Sequence, residues 1–178
     1  MEFPFDRPLP RRTVLMVSMA LAAAAPMRAQ TLAPVPNNER PGLVGRTLEG
    51  KPFALDGQRG KVVMVVFWST NCAVCRDTLQ ELRANYAGWS RQPFELVTVA
   101  TDARRQDVAD YDLLIERIVP RRERFPALWR GESGHRDDFG PVAQLPAAFV
   151  VDRSGRVVER FTGRIPPEAW DRVADLMP

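Results

Sequence analysis

The sequence predicts an α/β fold in which a central mixed β-sheet is flanked by α-helices, as a three-layer α/β/α sandwich. A continuous β-branched run at Val62–Trp68 is typical of a central strand that is buried on both faces. Strand and helix patterns then alternate to the C-terminus, which favours a layered α/β architecture. The 178 residues suffice for one domain with a substantial core and are too few to expect two.

The first part of the chain is predicted to be an export signal rather than part of the fold. Arg11 and Arg12 precede an apolar run at residues 13–25, which has the length of a signal-peptide core and is too short to span a bilayer. The paired arginines resemble a twin-arginine export signal. Cleavage fits after Ala29, but Met27 is large for a cleavage site of small residues, so an uncleaved form tethered to the membrane stays open.

The chain therefore divides into a signal peptide at residues 1–29, an extended linker at residues 30–41 and a folded domain at residues 42–178. The signal predicts a periplasmic location. The whole chain has a formal net charge of +3, of which the four Arg, one Glu and one Asp of the signal contribute +2. The remainder is nearly neutral and gives no charge-based reason to expect a nucleic-acid partner.

A small hairpin is predicted ahead of the central strand. A Glu49–Gly50 turn lies between the short apolar pieces of Thr47–Leu55, and a polar turn at residues 56–61 leads into the strand. After the strand, apolar residues at steps of three and four predict a helix that begins near Cys72. The buried face of this helix comprises Cys75, Leu79, Leu82, Tyr86 and Trp89.

The second half of the domain continues the alternation. A strand is predicted at Phe94–Ala100, and two more at Ala147–Val151 and Val157–Phe161, joined by a turn short enough for an antiparallel hairpin. A second helix follows the first of these strands, and Pro167 is placed as the first residue of a last helix. The buried faces predicted for these helices are Val108, Tyr111, Leu114 or Ile115 and Ile118 in the first, and Trp170, Val173 and Leu176 in the last.

The two cysteines of the chain, Cys72 and Cys75, are open to three interpretations. A structural zinc site would find two of its four ligands here, and His135, the one histidine, would still leave it incomplete. An inert disulfide would close a loop so small that it stabilises the fold very little. A redox dithiol needs an attacking and a resolving thiol, and the spacing supplies both.

The position of the pair favours the redox interpretation. The cysteines follow a buried strand and open an amphipathic helix. Unpaired backbone N–H groups and the positive end of the helix dipole at such a point favour the thiolate, which is the nucleophile. Cys75 follows Cys72 by one helical turn, which is close enough to attack a mixed disulfide formed by Cys72.

The residues around the pair resemble a known family. Gly60–Cys75 is similar to the active-site segment of the TlpA/ResA branch of the thioredoxin superfamily, and Leu145–Val157 is similar to its proline-to-hairpin segment. The similarity covers roughly residues 43–177. The resemblance implies a thioredoxin-like fold and the activity of an exported thiol–disulfide oxidoreductase, for which we expect neither a cofactor nor a metal.

The resemblance also implies partners. Members of this branch exchange disulfides with client proteins, in some cases apocytochrome c, and are often tethered to the membrane. A reductant in an oxidising periplasm needs electrons from a membrane donor. The sequence leaves open whether this protein reduces or oxidises its clients.

Residue roles follow from the same resemblance. Cys72 is implied to be the exposed nucleophile and Cys75 the buried resolver. Pro146 matches the family's cis-proline beside the cysteines, and Leu145 before it would offer backbone hydrogen bonds to a client. Trp68 matches an aromatic residue that shields the site. The alternatives are an ordinary strand-start proline and a plain core tryptophan.

Two departures from the family concern the proton of the resolving thiol. Thioredoxin has a buried Asp where this chain has Val66, and ResA-like members have a Glu where it has Thr78. Asp77, Glu81 and Asp102 are candidate substitutes, but we expect each of them to be a solvated surface charge.

Two other functions fit parts of the pattern. A peroxiredoxin-like peroxidase places Thr or Ser three residues before its reactive cysteine, as Ser69 is here, but with a nearby Pro in place of Trp68. A Sco-like copper chaperone uses two cysteines and a distant histidine such as His135, but its cysteines are spaced one residue wider. The loop composition around His135 predicts a surface histidine.

Overall fold

The computed structural model of the protein describes residues 40–89 and 91–178. The predicted signal peptide at residues 1–29 lies outside these ranges, and so does the predicted linker apart from Arg40 and Pro41. Within the described ranges, no helix combines the length and the apolar character needed to cross a membrane.

The described residues form strands and helices in the predicted alternation. The strands are β1 (Leu43–Arg46), β2 (Pro52–Ala54), β3 (Val62–Trp68), β4 (Phe94–Ala100), β5 (Ala127–Trp129), β6 (Arg136–Asp137), β7 (Ala147–Val151) and β8 (Val157–Thr162). The helices are α1 (Ala73–Gly88), α2 (Arg105–Ile118) and α3 (Glu168–Asp175), with short 3₁₀ turns at Leu55–Gln58 and Arg121–Glu123.

A five-stranded mixed sheet forms the centre of the domain, in the order β5-β4-β3-β7-β8. Strands β3, β4 and β5 are parallel to one another, whereas β7 and β8 are antiparallel to their neighbours. Every residue of β3 is buried, as its β-branched run predicts. The sheet and its helices confirm the predicted α/β class and place the end of β3 at the middle of one sheet edge.

The two faces of the sheet are covered differently. Met64 and Val66 of β3 pack in one core with residues of all three helices, such as Leu79, Val108 and Val173. The intervening β3 side chains face a second core, whose outer members include Leu43 of β1, Phe53 of β2 and Phe139. The predicted helical layer therefore covers one face, while a three-stranded sheet, β2-β1-β6, contributes to the layer on the other. Right-handed crossovers explain this, because successive β3-α1-β4 and β4-α2-β5 units step across the sheet in one direction and place both helices on one face.

Several details depart from the sequence-based expectations. In α2, Ile115 rather than its alternative Leu114 is buried, and the predicted Ile118 is exposed, so the buried face ends one turn earlier than expected. Pro167 precedes α3 as its N-cap residue rather than being its first residue. Strands β5 and β6 were not predicted, because each is too short to show an alternating pattern.

The hairpin between β7 and β8 forms as predicted. Asp152 Oδ1 accepts hydrogen bonds from the backbone N–H groups of Ser154, at 2.9 Å, and Arg156, at 2.8 Å. Gly155 has a φ of 81°, a left-handed conformation that glycine adopts without a steric penalty. The hairpin positions the start of β7, where the predicted cis-proline lies.

A buried polar cluster joins β6 to the loop after β5. Asp137 accepts hydrogen bonds from Arg130 Nε at 2.9 Å and Arg130 Nη2 at 2.8 Å, and its Oδ2 lies 3.0 Å from His135 Nε2. The His135 side chain is only 3% exposed, so the expectation of a surface histidine is wrong. Its loop folds back onto β1, where His135 packs against Gly45. Burial acts to raise the pKa of Asp137, but the hydrogen bonds from His135 and Arg130 outweigh it and hold the pKa below the usual range.

We predict that Asp137→Asn lowers the free energy of unfolding by about 2 kcal/mol at neutral pH, because Arg130 and His135 lose a charged acceptor. The depressed pKa of Asp137 means that its carboxylate stabilises the fold above the unfolded value of about 3.9 and loses this contribution as the pH falls through the folded value. Urea denaturation across the acid range should therefore show the variant and the native protein converging. Asp56→Asn, at an exposed ion pair with Arg59, is the control and should change little; equal effects of the two variants would contradict the prediction.

Candidate active site

The cysteine pair lies just beyond the end of the central strand, where the loop after β3 meets the start of α1. Cys72 is the N-cap residue of α1, with an extended backbone conformation. Its Sγ accepts a hydrogen bond from the backbone N–H of Cys75 at 3.1 Å, in the way a capping side chain does. The sulfur therefore lies against the unpaired N–H groups of the first helical turn.

Cys72 and Cys75 are joined by a disulfide, with an Sγ–Sγ distance of 2.19 Å and a Cα–Cα distance of 5.2 Å. Cys72 is half-buried and Cys75 is fully buried. Cys72 is therefore the more accessible residue of the pair. This asymmetry is consistent with the roles of nucleophile and resolver predicted for the two residues, which stay predictions.

The electrostatic surroundings of Cys72 favour its thiolate. The first turn of α1 holds no acidic residue, so the positive end of the helix dipole is not offset there. The exposed Arg76 donates a hydrogen bond from its guanidinium to the carbonyl oxygen of Thr70 and so brings a positive charge to the same loop. The helix dipole stabilises negative charge on the Cys72 sulfur, whereas the loop that Arg76 binds also binds the carboxylate of Asp102.

A buried carboxylate holds the loop in front of Cys72. Asp102 Oδ1 accepts hydrogen bonds from Ser69 Oγ and from the backbone N–H of Thr70, both at 3.0 Å, and a further one from Thr70 Oγ1. Trp129 Nε1 donates to the carbonyl oxygen of Asp102 at 2.8 Å and fixes its backbone. Asp102 is 6% exposed, so the expectation of a surface charge is wrong for this residue.

The position of Asp102 explains why it meets that loop. β3 and β4 are parallel, with Trp68 opposite Ala100, so the segments that follow the two strands leave the sheet at the same edge. The available sequence signal was a Ser-Thr pair directly after β3 together with an acidic residue two positions after β4. Asp77 and Glu81 are exposed as expected, and Glu81 forms an ion pair with Arg164 at 2.8 Å.

The two positions at which the family holds acids are buried and uncharged in this chain. Val66 is fully buried, and Thr78 is buried one turn after Cys75. Thr78 Oγ1 has no hydrogen-bond partner among the described residues. Cys75 therefore has an apolar core around it, with one unbonded hydroxyl group on the next turn of its helix.

The predicted proline lies beside this site. The Leu145–Pro146 peptide bond is cis. In the antiparallel β3–β7 register Phe67 lies opposite Ala147, and continuing that register places Pro146 next to Trp68. Leu145 is half-buried and precedes β7, outside its strand ladders. Its role in binding the backbone of a client stays a prediction.

Trp68 supports the site from within the core. It is 3% exposed, and its ring packs against that of Tyr111 with centroids 4.8 Å apart. It shares its cluster with Cys75 and Leu79. This burial fits the alternative of a core tryptophan, and direct contact of Trp68 with a client stays a prediction.

The described residues give little support to a peroxiredoxin-like peroxidase or to a Sco-like copper chaperone. The Ser69 hydroxyl group is bonded to Asp102, so it is not free to serve Cys72 in peroxide chemistry. His135 is engaged with Asp137 in the corner between β1 and β6. Among residues 40–89 and 91–178, no group of three or more His, Cys, Asp or Glu side chains could hold a metal ion.

The sequence is similar to one protein family and to curated thiol-disulfide oxidoreductases. Residues 33–160 match the AhpC/TSA family. Thiol-disulfide oxidoreductase ResA of Bacillus anthracis is 30% identical over 126 residues, covering 70% of this chain and 68% of the relative. The protein of the same name from Geobacillus thermodenitrificans (strain NG80-2) is 26% identical over 162 residues, covering 88% of both chains.

Solved structures show the same fold. A thiol:disulfide interchange protein of the thioredoxin family from Chlorobium tepidum TLS superimposes with a TM-score of 0.61 at 25% identity, covering 77% of this chain and 93% of that one. StoA from Bacillus subtilis superimposes with a TM-score of 0.58 at 18% identity, covering 76% and 97%. The thioredoxin-like fold predicted from the sequence is confirmed.

We predict that Asp102→Asn lowers the free energy of unfolding by about 1–3 kcal/mol, because the amide cannot accept all the hydrogen bonds that the loop donates. Reduction of a model protein disulfide should slow about tenfold, since Cys72 loses its fixed position. Urea denaturation and an insulin reduction assay measure the two effects. Asp77→Asn, an exposed acid on α1, is the matched control; an Asp102→Asn protein as stable and active as this control would refute the assigned role.

Proposed function

We propose that this chain, which belongs to the AhpC/TSA family and is a thiol–disulfide oxidoreductase, exchanges disulfides with client proteins in the periplasm. The observation that carries the proposal is the pairing of a half-exposed Cys72 at the N-terminus of α1 with a fully buried Cys75 in a disulfide. Such a pair gives a client access to one sulfur and keeps the second for the resolving step.

The exchange proceeds in two steps when the protein acts as a reductant. The Cys72 thiolate attacks one sulfur of the client disulfide, whose S–S bond breaks, and the departing client sulfur takes up a proton. The deprotonated Cys75 then attacks Cys72 Sγ, which breaks the mixed disulfide and releases the second client thiol. The pair is left as the disulfide seen in the structure, and two electrons and two protons from a membrane donor restore it. In the oxidising direction the same steps run in reverse.

The location and the partners are part of the proposal. The basic residues and apolar run before residue 29 support export, and the segment at residues 30–41 supports a tether or a spacer to the membrane. The resemblance to the TlpA/ResA branch supports apocytochrome c as one client. Leu145, beside the cis-proline and outside the strand ladders, supports backbone pairing with the client chain.

We predict that Cys72→Ser lowers the rate of disulfide exchange by roughly a thousandfold or more, because the attacking thiolate is absent. Cys75→Ser should instead trap clients as mixed disulfides, because the resolving sulfur is missing. Acid-quenched extracts of cells that export each variant, separated on non-reducing gels, measure the trapped species. A Cys75→Ser protein that captures nothing and still reduces disulfides would overturn the assignment of roles.

The physiological direction is decided by the reduction potential of the pair, measured in glutathione buffers and compared with its redox state in the cell. A reduction potential close to that of thioredoxin, about −270 mV, together with reduced thiols in the cell, would identify a reductant. A reduction potential close to that of a strong disulfide oxidant, about −120 mV, would identify a protein that introduces disulfides into its clients.

A further inference from the structure

A tryptophan at the end of the edge strand β5 contacts the segment that holds the active-site loop. Trp129 is the last residue of β5, and β4 separates this strand from β3. Its indole Nε1 donates a hydrogen bond of 2.8 Å to the carbonyl oxygen of Asp102, in the segment after β4. The Asp102 side chain in turn accepts hydrogen bonds from Ser69 and Thr70. Both of these residues precede Cys72, so a row of hydrogen bonds joins β5 to the loop that carries the first sulfur.

The row of hydrogen bonds reaches the backbone of Cys72 itself. The Cys72 N–H donates to the carbonyl oxygen of Ser69 at 3.1 Å. At the other side of this residue, Cys72 Sγ accepts a hydrogen bond from the N–H of Cys75. A displacement of Ser69 would therefore move the sulfur relative to the N-terminus of α1. The effect of a helix terminus on a thiolate is confined to the first turn, so a small displacement is enough to change the reactivity of the sulfur.

The indole ring of Trp129 lies directly against Gly131. The N–H of Glu132 donates to the carbonyl oxygen of Trp129 at 3.1 Å and closes a turn over residues 129–132. A Cβ atom on residue 131 would lie 2.4 Å from Cζ2 of the indole, whereas carbon atoms in contact are about 3.5–4.0 Å apart. The φ of Gly131 is not positive, so the position of the ring, and not the backbone conformation, requires a glycine here.

A second link between the same two segments is weaker. Arg105, at the start of α2, forms an ion pair of 3.2 Å with Glu132, and both side chains are partly exposed to solvent. Such ion pairs contribute little, because water and salt screen the two charges. The hydrogen bond from Trp129 is therefore the stronger link between the turn after β5 and the segment of Asp102.

We propose that Trp129 is a positioning residue for disulfide exchange, and that Gly131 leaves the room that its ring needs. Trp129 acts on Cys72 through Asp102 and the loop that Asp102 holds. The half-buried indole suits this task, because packing fixes the ring and its single N–H points in one direction. The inference rests on Cys72 as the attacking residue of the proposed function.

The test measures the reactivity of Cys72 alone, in the full chain. With Cys75→Ser, Cys72 is the one thiol left, and its alkylation by iodoacetamide is followed across the pH range. Trp129→Phe keeps an aromatic ring but removes the donor. It should slow alkylation at pH 7 about threefold or more, and move the midpoint of the pH profile toward the value of an ordinary cysteine, about 8.5. Gly131→Ala should act in the same direction, because the added methyl group displaces the ring.

A double-mutant cycle distinguishes positioning from a general loss of stability. Asp102→Ala removes the connection between Trp129 and the loop, so adding Trp129→Phe to it should change neither the alkylation rate nor the pH midpoint any further. Two controls should react as the Cys75→Ser protein does. Glu132→Gln removes the ion pair between the same segments, and Gly57→Ala adds a methyl group that meets open space.

Two results would overturn this proposal and leave the proposed function intact. The first is a Trp129→Phe protein whose alkylation rate and pH midpoint equal those of Glu132→Gln. The second is an effect of Trp129→Phe that is equally large with and without the Asp102 carboxylate, because Trp129 would then act by another route. A Cys72 thiol that behaves as an ordinary cysteine in the Cys75→Ser protein would contradict the proposed function, and this inference with it.

Discussion

The arrangement of the active site depends on the buried carboxylate of Asp102. Its hydrogen bonds from Ser69 and Thr70 tie the segment after β3 to the segment after β4. The hydrogen bonds from Cys72 N–H to the Ser69 carbonyl and from Arg76 to the Thr70 carbonyl hold the same loop, but the Asp102 carboxylate is the group that ties it to the segment after β4. The parallel β3–β4 pair creates the opportunity, because it brings both segments to one sheet edge. A carboxylate is costly to bury, and the several donors that surround it offset that cost.

Burial separates the tasks of two chemically identical thiols. Cys72 lies at the surface, near a helix N-terminus and Arg76, whereas Cys75 is enclosed by the core that Val66 and Leu79 share. The first environment stabilises a charged sulfur and the second does not. This contrast supports the proposal that a client meets one reactive sulfur and that the other acts only after a mixed disulfide has formed beside it. The uncharged residues at positions 66 and 78 make this contrast sharper than an acidic neighbour would.

Much of the fold could be predicted from the sequence, because long buried segments have a clear periodicity. The all-buried β3, the face of α1 and the β7–β8 hairpin were of this kind. The Cys72–Cys75 pair was found from its position between strand and helix. Asp102 and His135 were misjudged, because their burial results from contacts between segments distant in sequence rather than from any local pattern. Ile118 was misassigned because an apolar residue on a helix is not always covered.

The short sequence separation of the bonded cysteines, three residues, has a thermodynamic consequence. Closing a ring that small removes little conformational freedom from the unfolded chain. A difference in stability between the oxidised and reduced domains that exceeds this small term must then arise in the native state. Because oxidation and unfolding form a closed cycle, that difference equals a shift in reduction potential, about 30 mV for each 1.4 kcal/mol. The melting curves of the oxidised and reduced forms would thus measure how much the native fold itself shifts the reduction potential of the pair.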